Sequence, residues 1–139
     1  MTNATSNYSV LDAIERSPYH RLLKLRFISQ DNSAASVRLG VELREDLMRS
    51  DEGGGLHGGA LASIIDVAAF YAVRIAAGRN GVTTGLSVDY LRPVNGSNVE
   101  AEARIVKLGR TQALADIEVF DGSSLTAIGR ARFALMDLT

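Results

Sequence analysis

His57-Gly58-Gly59, with Asp66 nine residues beyond the histidine in an otherwise apolar stretch, is the part of this chain that could do chemistry. Residues 60–77 read ALASIIDVAAFYAVRIAA, rich in helix formers and free of Gly and Pro, so one helix of about five turns is expected. Gly58 and Gly59 stand at its start. The first amides of a helix have no partner within it and lie at the positive end of its dipole, so they can donate to a carbonyl or an oxyanion. Glycine there lets a ligand come close to the backbone. A carboxylate two turns into such a helix gains basicity where it is buried, which suits Asp66 to general-base or nucleophilic work. His57 has two readings, a loop anchor by hydrogen bonding and a direct proton carrier, and the anchor is preferred. At 100° per residue Ser63, Asp66, Phe70 and Arg74 fall within roughly 80° of one another, a narrow polar stripe that something polar or solvated must face.

The surrounding chain must position that helix. At 139 residues, 46% apolar and with a net charge of −1, it is expected to form a single domain with a real core and no bulk charge for nucleic acid or anionic membrane. It has no cysteine and only two histidines, His20 and His57, so disulfides, thiolate metal sites and a histidine-rich metal centre are not expected. The opening MTNATSNYS lacks the charged and apolar regions of a signal peptide, and the expectation is a cytoplasmic protein whose residues 1–8 are mobile. Ser9 with Asp12 resembles a variant capping box, predicting a short helix over 10–16 that Pro18 ends. Alternation predicts strands over 21–28 and 35–41, paired through the turn at Asp31-Asn32-Ser33. A charged, then glycine-rich loop over 44–56 leads into the long helix. Strands are expected over 83–91, 98–106, 111–120 and 125–135, with hairpin turns at Leu108-Gly109-Arg110 and Asp121-Gly122-Ser123. The pattern is α+β, a curved, mainly antiparallel sheet wrapped around one central helix.

Leu56-His57-Gly58-Gly59 with Asp66, then 86–93 as LSVDYLRP and Lys107-Leu108-Gly109-Arg110, resembles the hotdog-fold acyl-CoA thioesterases of the phenylacetate-degradation type. The resemblance covers roughly residues 18–135. It implies that the Gly58 amide polarises a thioester carbonyl, that Asp66 activates water or attacks directly, and that Thr83 supplies a hydroxyl near that water. It also implies a homodimer, or a homotetramer built from dimers. A thioester is already electrophilic, so an oxyanion donor and a base suffice; no cofactor or metal is expected beyond the coenzyme A of the substrate. Gly59 is expected beside the substrate, and Arg110, Arg92 and Lys107 are the cations available for coenzyme A phosphates. Related sequences often carry Asn six residues before the histidine, where this chain has Asp51.

Three other readings are weaker. Gly53-Gly54-Gly55-Leu56-His57-Gly58 satisfies G-x-G-x-x-G, but a dinucleotide fold needs an apolar strand before the glycines and βαβ alternation after them, and Arg44 to Arg49 is charged. A hotdog dehydratase needs a second acidic residue that the helix lacks, Tyr71 standing five residues after Asp66. A non-catalytic acyl-CoA or lipid-binding hotdog module remains the runner-up, and Asp66 argues against it, because a pure binder has no reason to bury a carboxylate near a thioester.

Overall fold

The computed structural model describes residues 7–137. Ser9 opens α1 (Val10–Ile14) by accepting the Asp12 amide on its hydroxyl at 3.2 Å, so the capping serine acts as expected. Pro18 does not simply end that helix. It occupies the first turn of a second one, α2 (Pro18–Leu23), where its missing N–H costs nothing. The predicted strand over 21–28 is displaced accordingly: Lys24 caps α2 in the left-handed region at φ 56°, and β1 starts only at Leu25 and runs on past residue 28 (Leu25–Asp31). Of the residues expected to be mobile, 1–6 lie outside the described ones. Tyr8 is held, its carbonyl accepting from Gln30 Nε2 at 2.9 Å and its ring 6.4 Å from that of Tyr71.

Asp31 makes the first hairpin. Its Oδ1 accepts from the Ser33 and Ala34 amides and the Ser33 hydroxyl, turning the chain into β2 (Ser36–Glu42). The expected loop over 44–56 contains a small hairpin, β3 (Met48–Ser50) with β4 (Gly53–Leu56). It was illegible because β4 begins with three glycines, all at positive φ between 88° and 95°. After α3 (Gly58–Ala77) come β5 (Gly81–Tyr90), β6 (Asn98–Leu108), β7 (Gln112–Asp121) and β8 (Ser124–Leu135), each within a residue or two of its predicted bounds.

The six long strands form one antiparallel sheet in the order β1-β2-β6-β7-β8-β5, leaving β5 at an edge. No parallel βαβ unit exists among the described residues, which removes the dinucleotide reading. Its inner face is apolar at alternate positions: Val37, Leu39 and Val41 on β2, Val99, Ala101 and Ala103 on β6, and Ala113, Ala115, Ile117 and Val119 on β7 are all buried. The central strands face α3 with alanines, so the sheet can curve closely round a helix that brings the bulk, Ile64, Ile65, Tyr71 and Val73. At β8 the approach is closer still. A Cβ on Gly129 would lie 2.7 Å from the Ile65 side chain. The result is the α+β hotdog architecture expected from the sequence.

Candidate active site

The start of α3 is pinned from three sides. The Leu56 amide donates to Val94 O at 3.0 Å, the His57 amide to Leu47 O at 2.8 Å, and the Tyr90 hydroxyl to Gly58 O at 2.7 Å. His57 is the N-cap, its Nδ1 accepting the Gly59 amide at 2.8 Å. An accepting Nδ1 carries no proton, so neutral His57 bears its proton on Nε2, and the ring acts as the anchor the sequence suggested. The Gly59 amide is thereby occupied. Whatever Gly59 contributes to a ligand is room rather than a hydrogen bond. The Gly58 amide makes no hydrogen bond among the described residues and remains a donor at the positive end of a 20-residue helix.

Two turns on, Asp66 is half-buried and open to a cleft rather than sealed in the core. Its Oδ1 accepts from Thr83 Oγ1 at 2.7 Å, so the strand threonine that the resemblance singled out touches the carboxylate directly. No cation lies within ion-pair distance of Asp66 among the described residues. The expected stripe is real: Ser63, Asp66, Phe70 and Arg74 are all partly exposed, while Ile64, Ile65, Val67, Ala68, Ala69, Ala72 and Val73 are buried. What faces it is α2 and the chain on either side. Tyr19 donates to Ser63 Oγ at 2.8 Å, Ser63 donates onward to Gly59 O at 3.0 Å, and the Arg74 guanidinium lies 4.3 Å from the centre of the Tyr8 ring.

The cleft beside Asp66 has a volume of about 610 Å³. His20 and Tyr71 also line it, with His20 Nδ1 2.5 Å from the Tyr71 hydroxyl. Burial pushes the Tyr71 phenol well above its ordinary range, with the Tyr8 phenol adding to the effect, and Arg16 opposes both. Burial lowers His20 below 6.5 against the opposing charge of Asp66. Neither His20 nor Tyr19 was singled out by sequence, since nothing in SPYHRLL reveals that α2 folds back onto α3. Tyr90 was noticed only within a motif, and its contact with Gly58 was not foreseen.

The three cations expected for phosphates are not brought together. Lys107 and Arg110 share a hollow of about 300 Å³ with Arg132 at the turn between β6 and β7, and the Arg110 carbonyl accepts from Arg79 Nη2. Arg92 sits at the far end of β5, beside Arg49 and Tyr90, and donates to Ser124 Oγ at 3.1 Å. Asp51 is exposed in the turn between β3 and β4, outside the Asp66 cleft of its own chain. No three His, Cys, Asp or Glu side chains cluster as a metal site among the described residues.

An antiparallel sheet around one long helix, with an unpaired helix-start amide and a hydroxyl-held carboxylate on that helix, is the arrangement that the family must account for. Residues 53–128 match the family model of the thioesterase superfamily, and the chain belongs to that superfamily. It is 35% identical over 127 residues to a protein of Halobacterium salinarum named "Putative esterase", covering 82% of this chain and 83% of that one. It is 28% identical over 102 residues to acyl-coenzyme A thioesterase 13 of Mus musculus, covering 72% of this chain and 73% of the other. Among solved structures, a mutant of the phenylacetic acid degradation protein PaaI from Thermus thermophilus superposes with a TM-score of 0.77. The two share 26% identity, over 86% of this chain and 100% of that one.

Proposed function

We propose that the protein is an acyl-CoA thioesterase that hydrolyses its substrate to a free acid and coenzyme A. The observation that carries the reading is the Asp66 carboxylate, held by one neutral hydroxyl at 2.7 Å and open to a cleft. In the general-base form Asp66 takes a proton from water as its oxygen attacks the thioester carbon. The carbonyl oxygen becomes an oxyanion on the Gly58 N–H, and the carbon–sulfur bond then breaks, the proton passing to the thiolate. In the nucleophilic form an Asp66 oxygen attacks first and water cleaves the resulting anhydride. Thr83 orients the carboxylate in both. His57 holds the first turn so that the Gly58 amide stays free.

Gly58 and Asp66 of one chain cannot serve one carbonyl. Eight residues of helix separate them by about 12 Å, whereas a base must come within about 3 Å, or one water, of the reacting centre. The bonds to β5 suggest how two chains solve this. Asp66 is tied to Thr83 near one end of that strand and Gly58 to Tyr90 at the other. β5 is a sheet edge, and Val82, Leu86 and Tyr90 along it are exposed. Two such edges related by a two-fold axis run in opposite senses, so the Asp66 end of one chain would meet the Gly58 end of its partner, creating two equivalent sites. A homodimer, or a tetramer of two dimers, is the assembly this requires. The same arrangement would bring a partner's Arg92 toward Lys107 and Arg110, restoring one cationic surface for coenzyme A phosphates.

A hydrolysis screen over aryl, short, medium and long acyl-CoAs, with free thiol as the readout, tests the reading. Release of thiol that Asp66→Asn abolishes supports it. Tight binding of acyl-CoA without any release would establish instead the non-catalytic acyl-CoA-binding module.

A further inference from the structure

Pro18 starts α2 so that consecutive residues, Tyr19 and His20, both reach the open stripe of α3. Tyr19 is bonded to Ser63, one turn before Asp66. His20 stands edge-on to Phe70 and Tyr71, one turn after it, with ring centres 6.0 and 5.1 Å apart. Ser63, Asp66 and Phe70 share a helix face, so the first turn of α2 spans the carboxylate. His20 Nδ1 is taken by the Tyr71 hydroxyl at 2.5 Å. That hydroxyl is buried, makes no other hydrogen bond among the described residues, and keeps its proton. A buried O–H needs an acceptor, and Nδ1 is the one within reach. The neutral imidazole must then carry its own proton on Nε2, and His20 and Asp66 line the same cleft.

Building on the thioesterase reading, we propose that His20 is a positioning residue of the site: Tyr71 fixes its tautomer, and its Nε2–H holds the oxygen on which Asp66 acts. His20 gives up no proton. It donates one hydrogen bond to the attacking water in the general-base form, or to the water that cleaves the anhydride, while Asp66 accepts from that water. The surroundings of the ring favour the neutral form. Burial lowers its affinity for a second proton and the charge of Asp66 opposes that; Arg16, Arg74, Tyr8, Tyr19 and Tyr71 also line the cleft. A purely structural histidine would use Nδ1 in the same way, but loss of its ring would not be made good in kcat by a side chain that keeps only a donor near Nε2.

Nitrogen-15 NMR of the full chain reads the tautomer without substrate. The expected result is an Nε2–H imidazole titrating below 6.5, moving lower still in Asp66→Asn and upward in Tyr71→Phe, which loses the hydroxyl that favours the neutral ring. With an acyl-CoA that the wild type hydrolyses, His20→Phe should lower kcat about tenfold with KM changed less than twofold, and His20→Gln, which keeps a donor near Nε2, should regain most of that loss. An Nδ1–H tautomer, a titration unmoved by Asp66→Asn, or full kcat in His20→Phe would overturn the proposal. If His20→Phe does not fold, Tyr71→Phe supplies a second kinetic test: freeing Nδ1 lets the ring proton leave Nε2, so kcat should fall by about threefold or more with KM little changed, and full kcat in folded Tyr71→Phe overturns the proposal. A wild type that hydrolyses no acyl-CoA would overturn the underlying thioesterase reading, a result distinct from any of these in an active enzyme.

Discussion

Asp66 and Asp116 are both hydrogen-bonded aspartates, and their surroundings are opposite. Asp116, on the outer face of the sheet, is clamped by Arg130, whose Nε and Nη2 donate at 2.6 and 2.9 Å, with Arg104 at 3.9 Å. The Arg130 hydrogen bond, helped by the charges of Arg130 and Arg104, holds its carboxyl below the usual carboxylate value of 3.8. Among the described residues Asp66 on the inner helix has one neutral donor, Thr83, and no cation within ion-pair distance. An aspartate stabilised by two guanidiniums is a poor base and a poor nucleophile. One held by a single neutral hydroxyl and lining a cleft has the surroundings that the proposed role of Asp66 requires.

The strongest way to break the comparison is Asp66→Asn, which keeps the shape and removes the base. It is expected to lower kcat by at least about 10²-fold with little change in acyl-CoA affinity. Near-wild-type turnover would put Asp66 on the same footing as Asp116. Mixing that chain with Gly58→Pro comes next. Proline is tolerated at the first position of a helix and removes the amide proton, and its Cβ would meet the Tyr90 ring at 3.4 Å, an ordinary contact. Each homodimer should be inactive, whereas the heterodimer should recover one intact site and up to about half of the wild-type activity. Folded heterodimers without recovery would exclude a shared site. Thr83→Val should cost about tenfold in kcat, as loss of one hydrogen bond to a charged group; an unchanged rate would mean that the hydroxyl is incidental.

At the outer face the expected effects are small. Asp116→Asn should leave kcat within twofold and lower Tm by no more than about 3 °C, since the pair is partly exposed to solvent. The sign follows from the depressed native value. The stabilisation is complete above the ordinary carboxylate range and disappears as pH falls below 3.8 through the native pKa, so wild-type and variant melting curves should converge there. A difference that persists unchanged into acid would contradict the clamp. Smallest of all, Asp51→Asn should leave the pH–rate profile unmoved, because Asp51 lies in an exposed turn; a displaced acidic limb would show that it reaches the site of the partner chain.

The long helix and five of the six sheet strands were legible because their apolar residues repeat at a helical or a two-residue period over ten or so positions. Gly58, Asp66 and Thr83 were legible as types in a known order. What was hidden depends on contacts between distant segments. Pro18 reads equally as a stop and as a start, so α2 was missed, and with it the approach of His20 and Tyr19 to Asp66. Gly53-Gly54-Gly55 carries no side-chain period, so β4 could not be seen. The separation of Arg92 from Lys107 and Arg110 follows from the strand order, which local alternation does not encode.

That glycine run also sets where the molecule can be re-engineered or can drift. At Gly53 and Gly54 an added side chain would meet open space, so a substitution there is resisted by backbone conformation alone. Gly55 is doubly constrained, since its Cβ would also stand 3.0 Å from the Val94 carbonyl, the group that receives the Leu56 amide and fixes the entry to His57. Besides Gly54, the cations Arg49 and Arg92, Pro93 and the buried Leu56 and Val94, the hollow next to the helix start is lined by Leu61, Tyr90 and Leu91. Leu61 is buried in the core and Tyr90 holds Gly58, which leaves Leu91, an exposed side chain, as the position that can change at least cost. On the proposed function, a library that diversifies Leu91 while holding residue 55 constant would test whether this hollow receives the acyl group.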